Sequence, residues 1–147
     1  MADGEIRLKV NLASVEDAQA LAADVNKHGG SAEVADEKGI LPLAVLLVIV
    51  IPPGIGLLAQ VINRIVHSWR DHGVVIDARG VGAPTISKDN SLPFGTVIVL
   101  TRDGEMSKRS DLDDVDLSKY IGEAVKAVSG GASAAAAKTA AEGALAG

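Results

Sequence analysis

Three histidines, His28, His67 and His72, and four clustered aspartates, Asp111, Asp113, Asp114 and Asp116, are the side chains best suited to holding a metal ion. The histidine spacings match no zinc signature, and carboxylate partners lie in unrelated segments. The aspartates lack the glycine and distal glutamate of a calcium loop, and a solvated helix start accounts for them. No metal site is expected. Pro52–Pro53–Gly54–Ile55–Gly56 has the glycines of a phosphate loop, but no Lys-Ser or Lys-Thr follows and the spacing is wrong. It reads as a bend that allows close backbone approach. Ser107–Lys108–Arg109–Ser110 is a small basic patch suited to acidic lipid or a partner; basic residues also serve simply to guard an edge strand. Nothing gathers the scattered Ser, His and Asp residues into a triad. The chain is therefore read as non-enzymatic, with no catalytic residue and no cofactor.

The composition narrows the classes further. The net charge is −5 and aromatics make up 2% (Trp69, Phe94 and Tyr120), so neither a basic groove nor a stacking platform for nucleic acid is expected. With no cysteine, disulfides and thiol chemistry are excluded. The first ten residues are polar and acidic and do not resemble a secretory signal. A length of 147 residues suits one domain.

The elements follow from periodicity. In "EIRLKVNL", Ile6, Leu8, Val10 and Leu12 alternate with polar residues, which predicts a half-buried strand. A helix follows, with Ser14 as its cap, Val15, Ala18, Leu21, Ala22 and Val25 on one face, and Gly29–Gly30 as its stop. "SAEVADEK" has the character of a brief strand. After Gly73, "VVIDARG" predicts a strand and "VGAPTISKDNSLPFG" a loop. "TVIVLTRDGEMSKR" predicts a hairpin turning at Asp103–Gly104. A last helix buries Leu117, Tyr120, Ile121, Ala124, Val125 and Val128. The alanine-rich residues 130–147 read as a flexible tail to a domain spanning 1–129.

The apolar insertion 39–66 decides the functional reading. No charged residue falls between Lys38 and Arg64. As one helix this stretch would be about 37 Å long, enough to span a bilayer, but a single crossing would split the fold. A helical hairpin bent at Pro52, Pro53, Gly54 and Gly56 keeps both halves together. Its lipid-contacting residues would be Leu41, Leu43, Val45, Leu46, Leu47, Val48, Ile49, Val50, Ile51, Leu57 and Leu58. Trp69 and Arg70 would anchor it at the interface, and Gln60, Asn63, Arg64 and His67 would form the polar face of an amphipathic second arm. The competing reading makes "AVLLVIVI" a central strand of a parallel sheet, followed by a turn, the amphipathic helix and "VVIDARG" as a βαβ unit. The fold class expected is thus α+β: a small sheet with an N-terminal β-α unit, the central apolar hairpin, and a C-terminal β-hairpin plus helix.

Four features together resemble a family. Pro53–Gly54–Ile55–Gly56 opens a helix, Trp69–Arg70 closes it, Val74 to Asp77 forms the next strand, and Asp103–Gly104 turns a hairpin. Across roughly Glu5 to Val128 this order resembles the effector-associated constant component family of bacterial conflict systems. The resemblance implies a small non-enzymatic component beside an effector such as a protease or signalling ATPase. The aliphatic run before Pro52 and the loop from Gly80 to Gly95 depart from the family pattern. Two functions are carried forward. In the first, the protein sits at the bacterial inner membrane with its soluble parts in the cytoplasm, self-associates and inserts 39–66 into lipid. In the second, it is a cytoplasmic α/β adaptor or small-ligand sensor coupled to a separate effector.

Overall fold

A computed structural model of the chain describes residues 6–12, 15–34, 45–52, 57–69, 72–80 and 82–146. The proposed cap Ser14, the lipid-facing Leu41 and Leu43, the bend residues Pro53, Gly54 and Gly56, the anchor Arg70 and the Val45 side chain lie outside them. The strands are β1 (Ile6–Leu12), β2 (Ser31–Val34), β3 (Val45–Ile51), β4 (Gly73–Ala78), β5 (Thr85–Asp89), β6 (Val97–Thr101) and β7 (Met106–Arg109). The helices are α1 (Val15–Lys27), α2 (Leu57–Ser68), α3 (Asp114–Ser129) and α4 (Ala134–Ala146). All seven strands join one mixed sheet in the order β2-β3-β1-β5-β4-β6-β7. The α+β class is as the sequence indicates.

The helical hairpin is not what the apolar block forms. Val45–Ile51 is a strand, hydrogen-bonded to β1 on one side and β2 on the other, antiparallel to both. Seven residues rich in Val and Ile favour a pleated, buried surface, and two flanking strands satisfy the backbone that a short helix would leave unpaired at its ends. The competing reading is right that this run is a strand inside the sheet, but its parallel βαβ unit is absent, because β3 and β4 are separated by β1 and β5. The second arm is the amphipathic helix α2 and buries Leu57, Leu58, Val61, Ile62, Ile65 and Val66. Among the described residues, no helix is long and apolar enough to cross a membrane.

The helices form one layer on one face of the sheet. α1 lies against β1, β2 and β3; α3 against β1, β4 and β6; α4 against β6 and β7; and α2 bridges α1 and α3. The single core between the layers takes alternate residues from each strand, among them Leu8, Val10, Leu47, Ile49, Ile76, Ile86, Val97 and Val99. Trp69, expected at a membrane interface, is enclosed in this core.

Two elements exceed the expectation. β5 arises inside the segment read as a loop, where only Ile86 of "TISKD" enters the core. Its backbone closes the gap between β1 and β4, but its ladder to β1 has only Lys9↔Thr85 and Val10↔Ile86. Residues 134–146, read as a tail, form α4 and bury Ala134, Ala137 and Ala141. Small side chains on one stripe let this helix approach α3 closely, so contact comes from proximity in place of bulk. The first N–H groups of α4 are all taken. Ala134 donates to Thr101 Oγ1, Ala135 to Glu105 Oε1, Ala136 to Ser133 Oγ and Ala137 to the Ser133 carbonyl. Arg109 pairs with Glu142 and ties the middle of α4 to β7.

Candidate functional site

The other face of the sheet carries no described helix. Side chains alternate across a strand, so each residue between two core positions points here. One cross-strand row follows from the register: Glu33 on β2, Val48 on β3, Lys9 on β1, Thr85 on β5, Asp77 on β4, Leu100 on β6 and Met106 on β7. The next row adds Leu46, Asn11, Ser87, Val75, Ile98 and Lys108. Leu46, Val48 and Val50 form one aliphatic patch; Val75, Ile98 and Leu100 form another. These six are half-buried, and Met106 beside them is 62% exposed. At about 4.8 Å between strands, the face spans roughly 30 Å.

Its charges are ordered. Arg7 and Lys9 stand on β1, between the two aliphatic patches. Asp77 accepts from the Arg79 guanidinium at 3.0 Å (Nε) and 2.9 Å. Those bonds hold its carboxyl below the ordinary carboxylate range and raise the Arg79 pKa. Asp89 accepts from the Ser91 hydroxyl at 2.6 Å and its N–H at 2.8 Å, which likewise lowers its pKa. Both acids therefore stay ionised at neutral pH.

The residues proposed for lipid contact divide between the two faces. Leu47, Ile49, Ile51, Leu57 and Leu58 are in the core, and Leu46, Val48 and Val50 are on the uncovered face. Pro52 is half-buried just past β3. The polar residues Gln60, Asn63, Arg64 and His67 lie on the solvent side of α2. Arg64 pairs there with Asp24 of α1 at 3.5 Å, and Asn63 Oδ1 accepts from Ser118 Oγ of α3 at 3.4 Å. This face ties α2 to its neighbours and does not meet the aliphatic patches. Val75, Ile98 and Leu100 were not singled out from the sequence. The available signal was "TVIVL", a strand apolar on both sides in a sheet with helices enough for one.

The aspartate cluster does open a helix, as the sequence indicates. Asp113 is the N-cap of α3 and accepts from the Asp116 N–H at 2.8 Å. Among the described residues, no group of three or more His, Cys, Asp or Glu side chains could hold a metal. A cleft of about 340 Å³ lies at the carboxyl ends of the parallel strands β4 and β6, lined by Gly80, Gly82, Thr101, Arg102, Gly131 and Ser133. Such strand ends often receive ligands. Here, however, the N–H groups of the helix end beside the cleft are already satisfied within the chain. Thr101 in turn donates to Asp103 at 2.7 Å, which lowers the Asp103 pKa.

The sequence matches no protein-family model, and no curated protein and no solved structure is significantly similar to it.

Proposed function

We propose that the protein is a non-enzymatic assembly module, a cytoplasmic α+β adaptor that works by burying the uncovered face of its sheet against protein. The observation carrying this reading is the distribution of layers: four helices on one face, and two aliphatic patches set among charges on the other. A face with this mixture suits protein contact, where aliphatic area supplies affinity and fixed charges select partner and register. The resemblance to the effector-associated constant component family supplies the setting, in which the assembly serves a separate effector of a bacterial defence system. Membrane insertion draws less support, because Leu47, Ile49, Ile51, Leu57, Leu58 and Trp69 are already committed to the core. Insertion would also bring Arg7, Lys9 and Asp77 into lipid beside Leu46 and Val48, at a cost of several kcal/mol.

Spin labels at Val48 and Leu100 test this directly. Their accessibility to molecular oxygen is expected to be unchanged by vesicles of phosphatidylethanolamine and phosphatidylglycerol. A clear rise in oxygen accessibility with vesicles would refute the protein-docking reading and restore the membrane one.

A further inference from the structure

We infer that the partner on the uncovered face is a second copy of this chain, packed face to face about a two-fold axis running along β5. The inference rests on the assembly reading above and names the partner of that same face.

The charge order across the sheet carries it. From the β2 edge, the strands present an acid (Glu33), an aliphatic patch, then base (Lys9). Beyond the hydroxyls of β5 the order repeats: an acid (Asp77), an aliphatic patch, then base (Lys108). Turned end for end, this pattern is its own complement. Rotation about an axis along β5 lays β2 over β7, β3 over β6 and β1 over β4. The register then sets residues of one row against each other. Lys9 meets Asp77, Val48 meets Leu100, and Leu46 of the next row meets Ile98. Glu33 lies one row from Lys108. An axis across the strands instead would set Lys9 on Lys9 and Asp77 on Asp77, so the charges select the first arrangement.

The like-charged meetings fall at the strand ends. Asp89, still ionised, approaches its own copy and Arg7 approaches Arg79, and both meetings oppose the pairing. Water at the rim screens both. Strands of this length give roughly 600 Å² of footprint per copy, on the order of 1,200 Å² in all, which reaches the range of stable interfaces. Aligned packing of two twisted sheets about 10 Å apart is a common arrangement. It would leave both helical layers outward, available to an effector.

Sedimentation equilibrium of the full chain tests the pairing. The wild type should have twice the 15.0 kDa monomer mass. Lys9→Glu alone and Asp77→Lys alone should each weaken association roughly thirtyfold or more, since every dimer holds two such contacts. An equimolar mixture of the two variants should recover the dimer, because both contacts then join unlike charges. Circular dichroism and Trp69 fluorescence check that each variant is folded. A wild type that stays monomeric to about 100 µM, a dimer indifferent to both variants, or a mixture that stays monomeric each overturns the inference. Only vesicle-dependent exposure of the Val48 and Leu100 labels overturns the assembly reading itself, so the two failures are distinct.

Discussion

Replacing Ile49 and its neighbour Val48 by alanine, one at a time, separates the two faces of β3. Ile49 is 0% exposed and pairs with Leu8 and Ala32 under the helical layer. Truncation removes three carbons, about 2.4 kcal/mol of transfer free energy at ~0.8 kcal/mol each. The residual cavity adds roughly 1–1.5 kcal/mol, for a total near 3.5–4 kcal/mol. Val48, between Lys9 and Glu33 on the uncovered face, loses two carbons that are only partly buried and should cost under about 1 kcal/mol. Urea titration reads the difference through Trp69, the only tryptophan and itself 5% exposed. With a slope near 2 kcal/mol/M, Ile49→Ala should lower the midpoint by about 1.5–2 M and Val48→Ala by less than about 0.5 M. Both are measured in the Lys9→Glu background so that association does not contribute. Equal shifts, or a larger one for Val48, would refute the assignment of the aliphatic run to a strand with one core face.

The Tyr120 hydroxyl is buried without a hydrogen-bond partner among the described residues, so Tyr120→Phe should raise stability by about 1 kcal/mol in urea titration. Burial, reinforced by the Glu142 charge and opposed by Arg109, pushes the Tyr120 pKa up to about 12. Its folded pKa exceeds its unfolded one, so the neutral phenol's contribution is intact below about pH 10 and is lost as pH rises through about 12. Alkaline melts should show stability falling across that window, with phenolate absorbance appearing late, and Tyr120→Phe should flatten the slope. Gly95 has φ +92°, and a Cβ there would lie 2.6 Å from the Leu112 carbonyl oxygen. Calorimetry of Gly95→Ala should show Tm lower by about 6–10 °C, from roughly 2–3 kcal/mol of strain. On α4, Ala137→Leu should overpack the contact with α3 and cost about 1–3 kcal/mol, whereas Ala140→Leu on the exposed side should be near neutral by the same titration.

Much of the fold was legible where a local pattern and the tertiary environment agree. The alternation of Ile6 to Leu12 became β1, the stripe from Leu57 to Val66 became the buried face of α2, and all six residues named for α3 are in the core. The central run was ambiguous because Val45 to Ile51 is apolar on both sides, and periodicity cannot separate a buried strand from a buried helix over so short a length. β5 has almost no apolar content, and its two neighbouring strands recruit it. α4 was missed because a stripe of alanines offers no bulk to see in sequence, while its anchors are residues distant along the chain, such as Thr101 and Arg109. The uncovered face was invisible for a topological reason: which side of each strand the helices occupy is known only once all of them are placed.

The two rungs joining β1 to β5 have a mechanical consequence. To one side stand β2, β3 and β1, built from residues up to 51; to the other stand β5, β4, β6 and β7, built from residue 73 onward. The β1–β3 ladder has seven rungs and each ladder of β4 has five. A pair held by two shears first under load, so tension should part the protein into two intact blocks before unravelling either one. A single continuous sheet would thus yield like a perforated card, along a line set by where Thr85 and Ile86 touch the first strand.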